Sequence, residues 1–130
     1  VHDEVGFNYR MPNLNAALLC AQLEMLDQFL INKRELTDDY VDFFNKYKVN
    51  FVHERNGTKS NYWLNAIIFD SKKDRDIFLD YTNTNGVMTR PIWRLMSKLK
   101  MFNYNQLSNL NNSIYLEDRV VNIPSSVRVY

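Results

Sequence analysis

An apolar recurrence running through the first third of the chain most constrains what it can fold into. Leu14, Leu18, Ala21, Met25 and Phe29 follow one another at steps of three or four residues. After a charged interruption at Lys33, Arg34 and Glu35, the stripe resumes with Leu36, Tyr40, Phe43 and Tyr47. The spacing predicts one helix from about residue 14 to about residue 47, kinked near Asn32, with Asn13 as its N-cap directly after Pro12. Straight, it would be about 50 Å long. A chain of 130 residues has room for one proper core and hardly for two. A helix of that length in so small a domain usually bridges two domains or two subunits.

The elements after it are shorter. Gly57 and its polar neighbours mark a loop, and Tyr62 to Phe69 (YWLNAIIF) is apolar on both faces, as a buried strand is. Ser71 with Asp74 resembles a capping box and opens a helix that should turn Ile77, Phe78 and Tyr81 inward and stop at Asn85-Gly86. Val87 to Ile92 predicts a second strand, residues 93–102 and 108–118 two weaker helices, and Val120 to Ile123 a last strand ended by Pro124. The order implies an α/β (α+β layered) small domain, a small sheet covered by helices on one face. Residues 1–12, with Gly6 and Pro12 and no sustained period, read as an irregular arm ahead of that domain, which occupies 13–130.

Composition removes several classes of function. Hydrophobic residues at 45% and charged residues at 24% are the balance of a soluble globular protein. Sixteen Lys and Arg against fifteen Asp and Glu give a net charge of +1, which offers no electrostatic case for nucleic acid or an anionic membrane as partner. No apolar run approaches the ~20 residues that span a bilayer. Cys20, the single cysteine, lies in an apolar helical pattern and is expected to be a buried structural thiol. His2 and His53 stand far apart without partners at ligand spacing, so no metal site is expected. The acid pairs Asp38-Asp39 and Asp74-Asp76 read as solvated charge. The opening Val-His-Asp-Glu has no signal-peptide character, and the absence of an initiator methionine suggests a cytoplasmic protein whose start lies upstream.

The phrase GFNYRMPNLNAALLCAQLE, Gly6 to Glu24, carries the strongest functional signal. It resembles the DegT/DnrJ/EryC1/StrS family of pyridoxal-phosphate (PLP) sugar-nucleotide aminotransferases, through Gly6, Phe7, Asn8, Tyr9, Arg10, Met11, then Ala16, Ala17, Gln22, Leu23 and Glu24. The Thr89-Arg90-Pro91 and Val121-Asn122-Ile123-Pro124-Ser125-Ser126 segments extend the resemblance, which is thin at 45–60 and 103–119. It implies the smaller C-terminal domain of an aspartate-aminotransferase-like (fold type I PLP) enzyme. It also implies that Asn8 reaches the PLP phosphate of the neighbouring subunit in a homodimer.

Elementary chemistry fits these roles without requiring them. Asn8 offers an amide donor to a phosphate oxygen, and Arg10 a charged fork to a phosphate or carboxylate; on the residues alone, a turn cap and a surface ion pair serve equally. Arg90 at a strand end, with Trp93 close behind, could hold a sugar-nucleotide phosphate while the indole stacks on base or sugar. A core tryptophan beside a structural arginine is the alternative. Many family members show a histidine a few residues beyond this Arg-Pro, and none occurs here. The Arg-Pro-Ile-Trp wording looks closer to the branch acting on UDP-linked keto-deoxy-N-acetylhexosamines.

PLP chemistry needs a lysine to hold the cofactor and an acid beside its ring nitrogen. In the family both precede the Gly-aromatic-Asn phrase, whereas Lys33, Lys46, Lys48, Lys59, Lys72, Lys73, Lys98 and Lys100 all follow it. The chain is therefore expected to hold no catalytic residue and to be inactive alone. It should be the C-terminal part of an enzyme passing an amino group, from glutamate, through PLP to a keto sugar of a nucleotide-sugar. A stand-alone binding, regulatory or dimerisation module is the alternative.

Overall fold

The computed structural model describes residues 4, 6–7 and 9–128. The predicted long helix is two: α1, Asn13–Glu24, and α2, Leu26–Lys46, meeting at a 65° bend. The break falls at Met25, not near Asn32. Met25 leaves the helical region (φ −101°, ψ 4°), and its N–H turns back to Gln22 O at 3.2 Å, a tighter closure than the α-helical one. Asn13 is the first helical residue and Pro12 occupies the cap position, with no side-chain capping bond. Proline suits the mouth of a helix because its φ is already near the helical value.

The apolar residues of α1 are not one stripe but run round the helix, and none is buried; Leu14 is 81% exposed. Cys20 lies on this helix and is exposed rather than buried. α2 packs instead through Thr37, Tyr40, Val41 and Phe44, while Phe43 and Tyr47 remain largely exposed.

Four short strands form one antiparallel sheet: β1 (Asn50–Phe51), β2 (Asn65–Ile68), β3 (Arg90–Pro91) and β4 (Val120–Ile123), in the order β1-β2-β4-β3. β1 was not legible in the sequence, and β3 is two residues long where six were expected. The cluster of Phe51, Ile67, Val121 and Ile123 is the core, Val121 being fully buried. α2 packs on it through Tyr40, Val41 and Phe44, and α3 (Lys72–Thr84) through Phe78 and Leu79.

α3 begins as expected. Ser71 Oγ accepts from Asp74 N and donates to Asp74 Oδ2, and the helix ends at Gly86, whose φ of +79° a larger residue would resist. Its inward face is rotated from the expected one: Ile77 and Tyr81 are exposed, while Arg75 and Thr82 are buried. The segment expected as a helix over 93–102 is two 3₁₀ turns, Met96–Lys98 and Lys100–Phe102, before α4, Asn111–Arg119. No single helix among the described residues is long and apolar enough to cross a membrane, and no group of three metal-ligating side chains occurs among them.

Candidate functional site

Strand order places the candidate site. β4 lies between β2 and β3, and the register aligns Ala66, Asn122 and Arg90 in one row across the three strands. Alternation along a strand puts this row on the face opposite the buried Ile67 and Val121. At the end of the sheet where β4 finishes and β2 begins, a groove of about 770 Å³ opens, lined among others by Trp63, Met88, Arg90, Trp93, Asn122 and Ser126. Arg90 and Trp93 therefore do share one concavity. Trp93 is not a core residue: it is 64% exposed.

Arg90 is lightly held. Its one hydrogen bond among the described residues is from Nη2 to Met88 Sδ, at 3.4 Å, and it faces no carboxylate within ion-pair distance. A guanidinium lacking a carboxylate, set in a concave wall beside an aromatic face, suits a phosphate oxygen and a flat ring together.

The groove is braced from below by the charged interruption of the sequence. Lys33 Nζ donates to the main-chain oxygens of Trp63 and Ser125, tying α2 to both sides of the groove mouth. Burial holds its ammonium below the ordinary lysine range. Thr37 is 2% exposed; its hydroxyl lies 2.9 Å from Lys33 O and 2.8 Å from Asn65 Oδ1, while Asn65 N donates to Ser125 Oγ at 2.7 Å. Arg34 forks onto Glu54, donates to Ser60 O at 2.8 Å, and rests over the Tyr62 ring, 5.5 Å from its centroid. Periodicity reads Lys33 and Arg34 as a gap in an apolar stripe, and only the three-dimensional path of residues 54–63 shows what they grip. Trp63 was likewise absorbed into a buried strand, although it precedes the first paired residue and is as exposed as Trp93.

None of the described arm residues lines this groove. Asn8 lies outside the described residues. Arg10 is exposed and takes part in no hydrogen bond or ion pair among the described residues. Its unengaged guanidinium fits a cofactor phosphate in charge and donor geometry. Of the lysines, Lys33 is committed to two carbonyls, while Lys72 and Lys98 are paired with Asp76 and Glu117.

Comparison with known proteins bears on the chain as a whole. Residues 1–130 match the model of the DegT/DnrJ/EryC1/StrS aminotransferase family. A GDP-perosamine synthase of Vibrio cholerae is 33% identical over 129 residues, covering 95% of this chain and 35% of that protein. A GDP-perosamine synthase of Escherichia coli O157:H7 is 32% identical over 101 residues, covering 78% of this chain and 28% of that protein. The chain thus spans about a third of the length of the curated relatives it matches. Among solved structures, the sugar aminotransferase Spr1654 of Streptococcus pneumoniae superposes with a TM-score of 0.77 at 15% identity, over 93% of this chain and 32% of that one. Its PLP-form superposes with a TM-score of 0.75. The fold is that of the corresponding part of a type I PLP enzyme.

Proposed function

We propose, from the premise that this chain belongs to the DegT/DnrJ/EryC1/StrS aminotransferase family, that it forms the small domain of a PLP-dependent enzyme aminating a keto sugar carried on a nucleotide. Residues 13–130 would be that domain and residues 1–12 the arm joining it to a larger one. The nucleotide we assign is guanosine diphosphate, after the names of the two perosamine synthases, in place of the uridine-linked branch suggested by the wording around Arg90. The enzyme works in the cytoplasm as a homodimer.

Within it, Arg90 binds the diphosphate and Trp93 covers the substrate with its indole face. Asn8 and Arg10 donate to the cofactor phosphate, Asn8 across the subunit interface. PLP, when bound, would supply the electron sink that such an exchange needs: the amino group of glutamate for the carbonyl oxygen of the sugar, giving 2-oxoglutarate and the amino sugar. This chain's own contribution is to hold and orient substrate and cofactor and to keep water from them.

The observation that carries the reading is Arg90, without a carboxylate partner, in the same groove as Trp93. The test is the full-length enzyme supplied with nitrogen-labelled glutamate and a GDP-linked keto sugar. Label in the sugar nucleotide supports the activity, and a raised KM for the sugar nucleotide in Arg90→Ala, with glutamate KM unchanged, supports the site. Transfer unaffected by Arg90→Ala removes Arg90 from it.

A further inference from the structure

The groove holds a second tryptophan that the substrate reading leaves without a task. Trp63 and Trp93 are the chain's two tryptophans, each 64% exposed, with ring centroids 5.9 Å apart and planes inclined by 34°. Indoles left this exposed forgo the burial that large apolar rings otherwise gain, and their clustering in a concavity is the informative part. The residue before Trp63 is also strained. Tyr62 has φ +44°, a region bulky side chains avoid.

That conformation is held from every side. Tyr62 N donates to Ser60 Oγ at 3.0 Å, its hydroxyl accepts from Glu54 N at 3.3 Å, and Arg34 covers its ring. The main chain of Trp63 is pinned on both sides: its backbone N–H donates to Asn61 Oδ1 at 3.0 Å, and its carbonyl accepts from Lys33 Nζ. A rigid, strained support under an exposed ring is costly to maintain for packing alone, because Trp63 stays 64% exposed and its one aromatic partner among the described residues is Trp93.

We propose that Trp63 is the nucleobase-stacking residue of the groove, with Tyr62 and Arg34 as the positioning residues that aim it. This rests on the assignment of the groove to a nucleotide sugar. A base inserted between two rings needs about 7 Å, twice the ~3.5 Å contact distance of carbon atoms, so the indole pair leaves no slot and the base must lie on an outer face. Arg90 is on β3, and β2 lies two strand spacings away, about 10 Å. Trp63 leads into β2, whereas Trp93 follows Arg90 by three residues on the same segment. A nucleotide whose diphosphate sits on Arg90 can thus carry its base across β4 to Trp63, leaving Trp93 beside the sugar portion. Every base offers a π-face, so Trp63 adds affinity without choosing among bases.

Calorimetry on the full-length enzyme, with GDP and inorganic pyrophosphate as paired probes, tests this. Trp63→Ala should weaken GDP about tenfold or more and leave pyrophosphate unchanged, while Trp63→Phe keeps most of the GDP affinity. Arg90→Ala should weaken both probes. Arg34→Met, with Trp63 intact, should reproduce part of the GDP-only loss. Unchanged GDP affinity in Trp63→Ala, with both probes weakened in Arg90→Ala, overturns the stacking role and leaves the proposed function standing. Equal loss of both probes in Trp63→Ala, with a lowered melting temperature, makes the residue structural and also overturns it. Neither variant altering either probe would instead remove the nucleotide from this groove.

Discussion

The guanidinium of Arg34 forks onto the carboxylate of Glu54, at 3.2 and 2.9 Å, and joins α2 to the loop that enters β2. Hydrogen bonding from Arg34 first, and from Ser60 N second, holds the Glu54 carboxyl below the usual glutamate range. A carboxyl depressed in the folded state contributes stability above its unfolded pKa, and that contribution disappears as pH falls through the folded value. Urea midpoints of wild type and Glu54→Gln should therefore differ at about pH 7, and the gap should narrow as pH falls below the usual glutamate pKa of about 4.3. No gap at about pH 7 would show that the fork adds nothing to the fold, and a gap that stays constant into acid would show that the carboxylate charge is not its source.

Thr37 should matter more than its polarity suggests. Its hydroxyl is buried between Lys33 O and the Asn65 side chain, whose Nδ2 already lacks a partner. Thr37→Val keeps the shape but leaves the Asn65 amide without its remaining contact, at a cost of about 1–3 kcal/mol. Equilibrium unfolding in urea measures it, and a neutral result would mean the Asn65 side chain finds another partner.

The 130-residue chain by itself should form no stoichiometric lysine adduct with PLP. No lysine occupies the position that the family uses, and Lys33 is turned onto two carbonyls. Borohydride trapping followed by mass spectrometry should give scattered, substoichiometric labelling. One dominant pyridoxyl-lysine would contradict the assignment of the catalytic lysine to another part of the enzyme.

α1 should drive association of the chain. Leu14, Leu18, Leu19 and Leu23 are all exposed on a helix without a buried residue, and apolar surface of this kind gains free energy when another surface covers it. Sedimentation equilibrium should show a concentration-dependent dimer for wild type and a shift toward monomer for Leu18→Glu. A monomer at high concentration, with slow hydrogen exchange throughout α1, would exclude this helix as the contact.

What the sequence revealed and what it hid follow from the range of the interactions involved. Ser71, Asp74 and Gly86 act within one helical turn of where they stand, so the limits of α3 could be read directly. β4 was legible because Val120 to Ile123 is a short apolar run stopped by Pro124. The inward face of α3 was not, because Arg75 is drawn in by Glu117 O and Thr82 by Thr89, partners 42 and 7 residues away. The break at Met25 lies within an unbroken apolar pattern, and periodicity carries no mark of a helix that changes direction without changing composition. In the site, Arg90 and Trp93 could be paired because they are three residues apart. Trp63, Lys33 and Arg34 meet the groove only through the sheet order, which places β2 beside β4.

The bend at Met25 also divides the molecule for practical purposes. No member of the hydrophobic cluster precedes Tyr40, and none of α1 is buried. A version trimmed to begin at Leu26 would keep its whole interior, the Lys33 brace and both indoles of the groove, while shedding the exposed leucines of α1. The trimmed chain is thus a tractable reagent for nuclear magnetic resonance of the groove, and its two indole N–H signals would report on that one place.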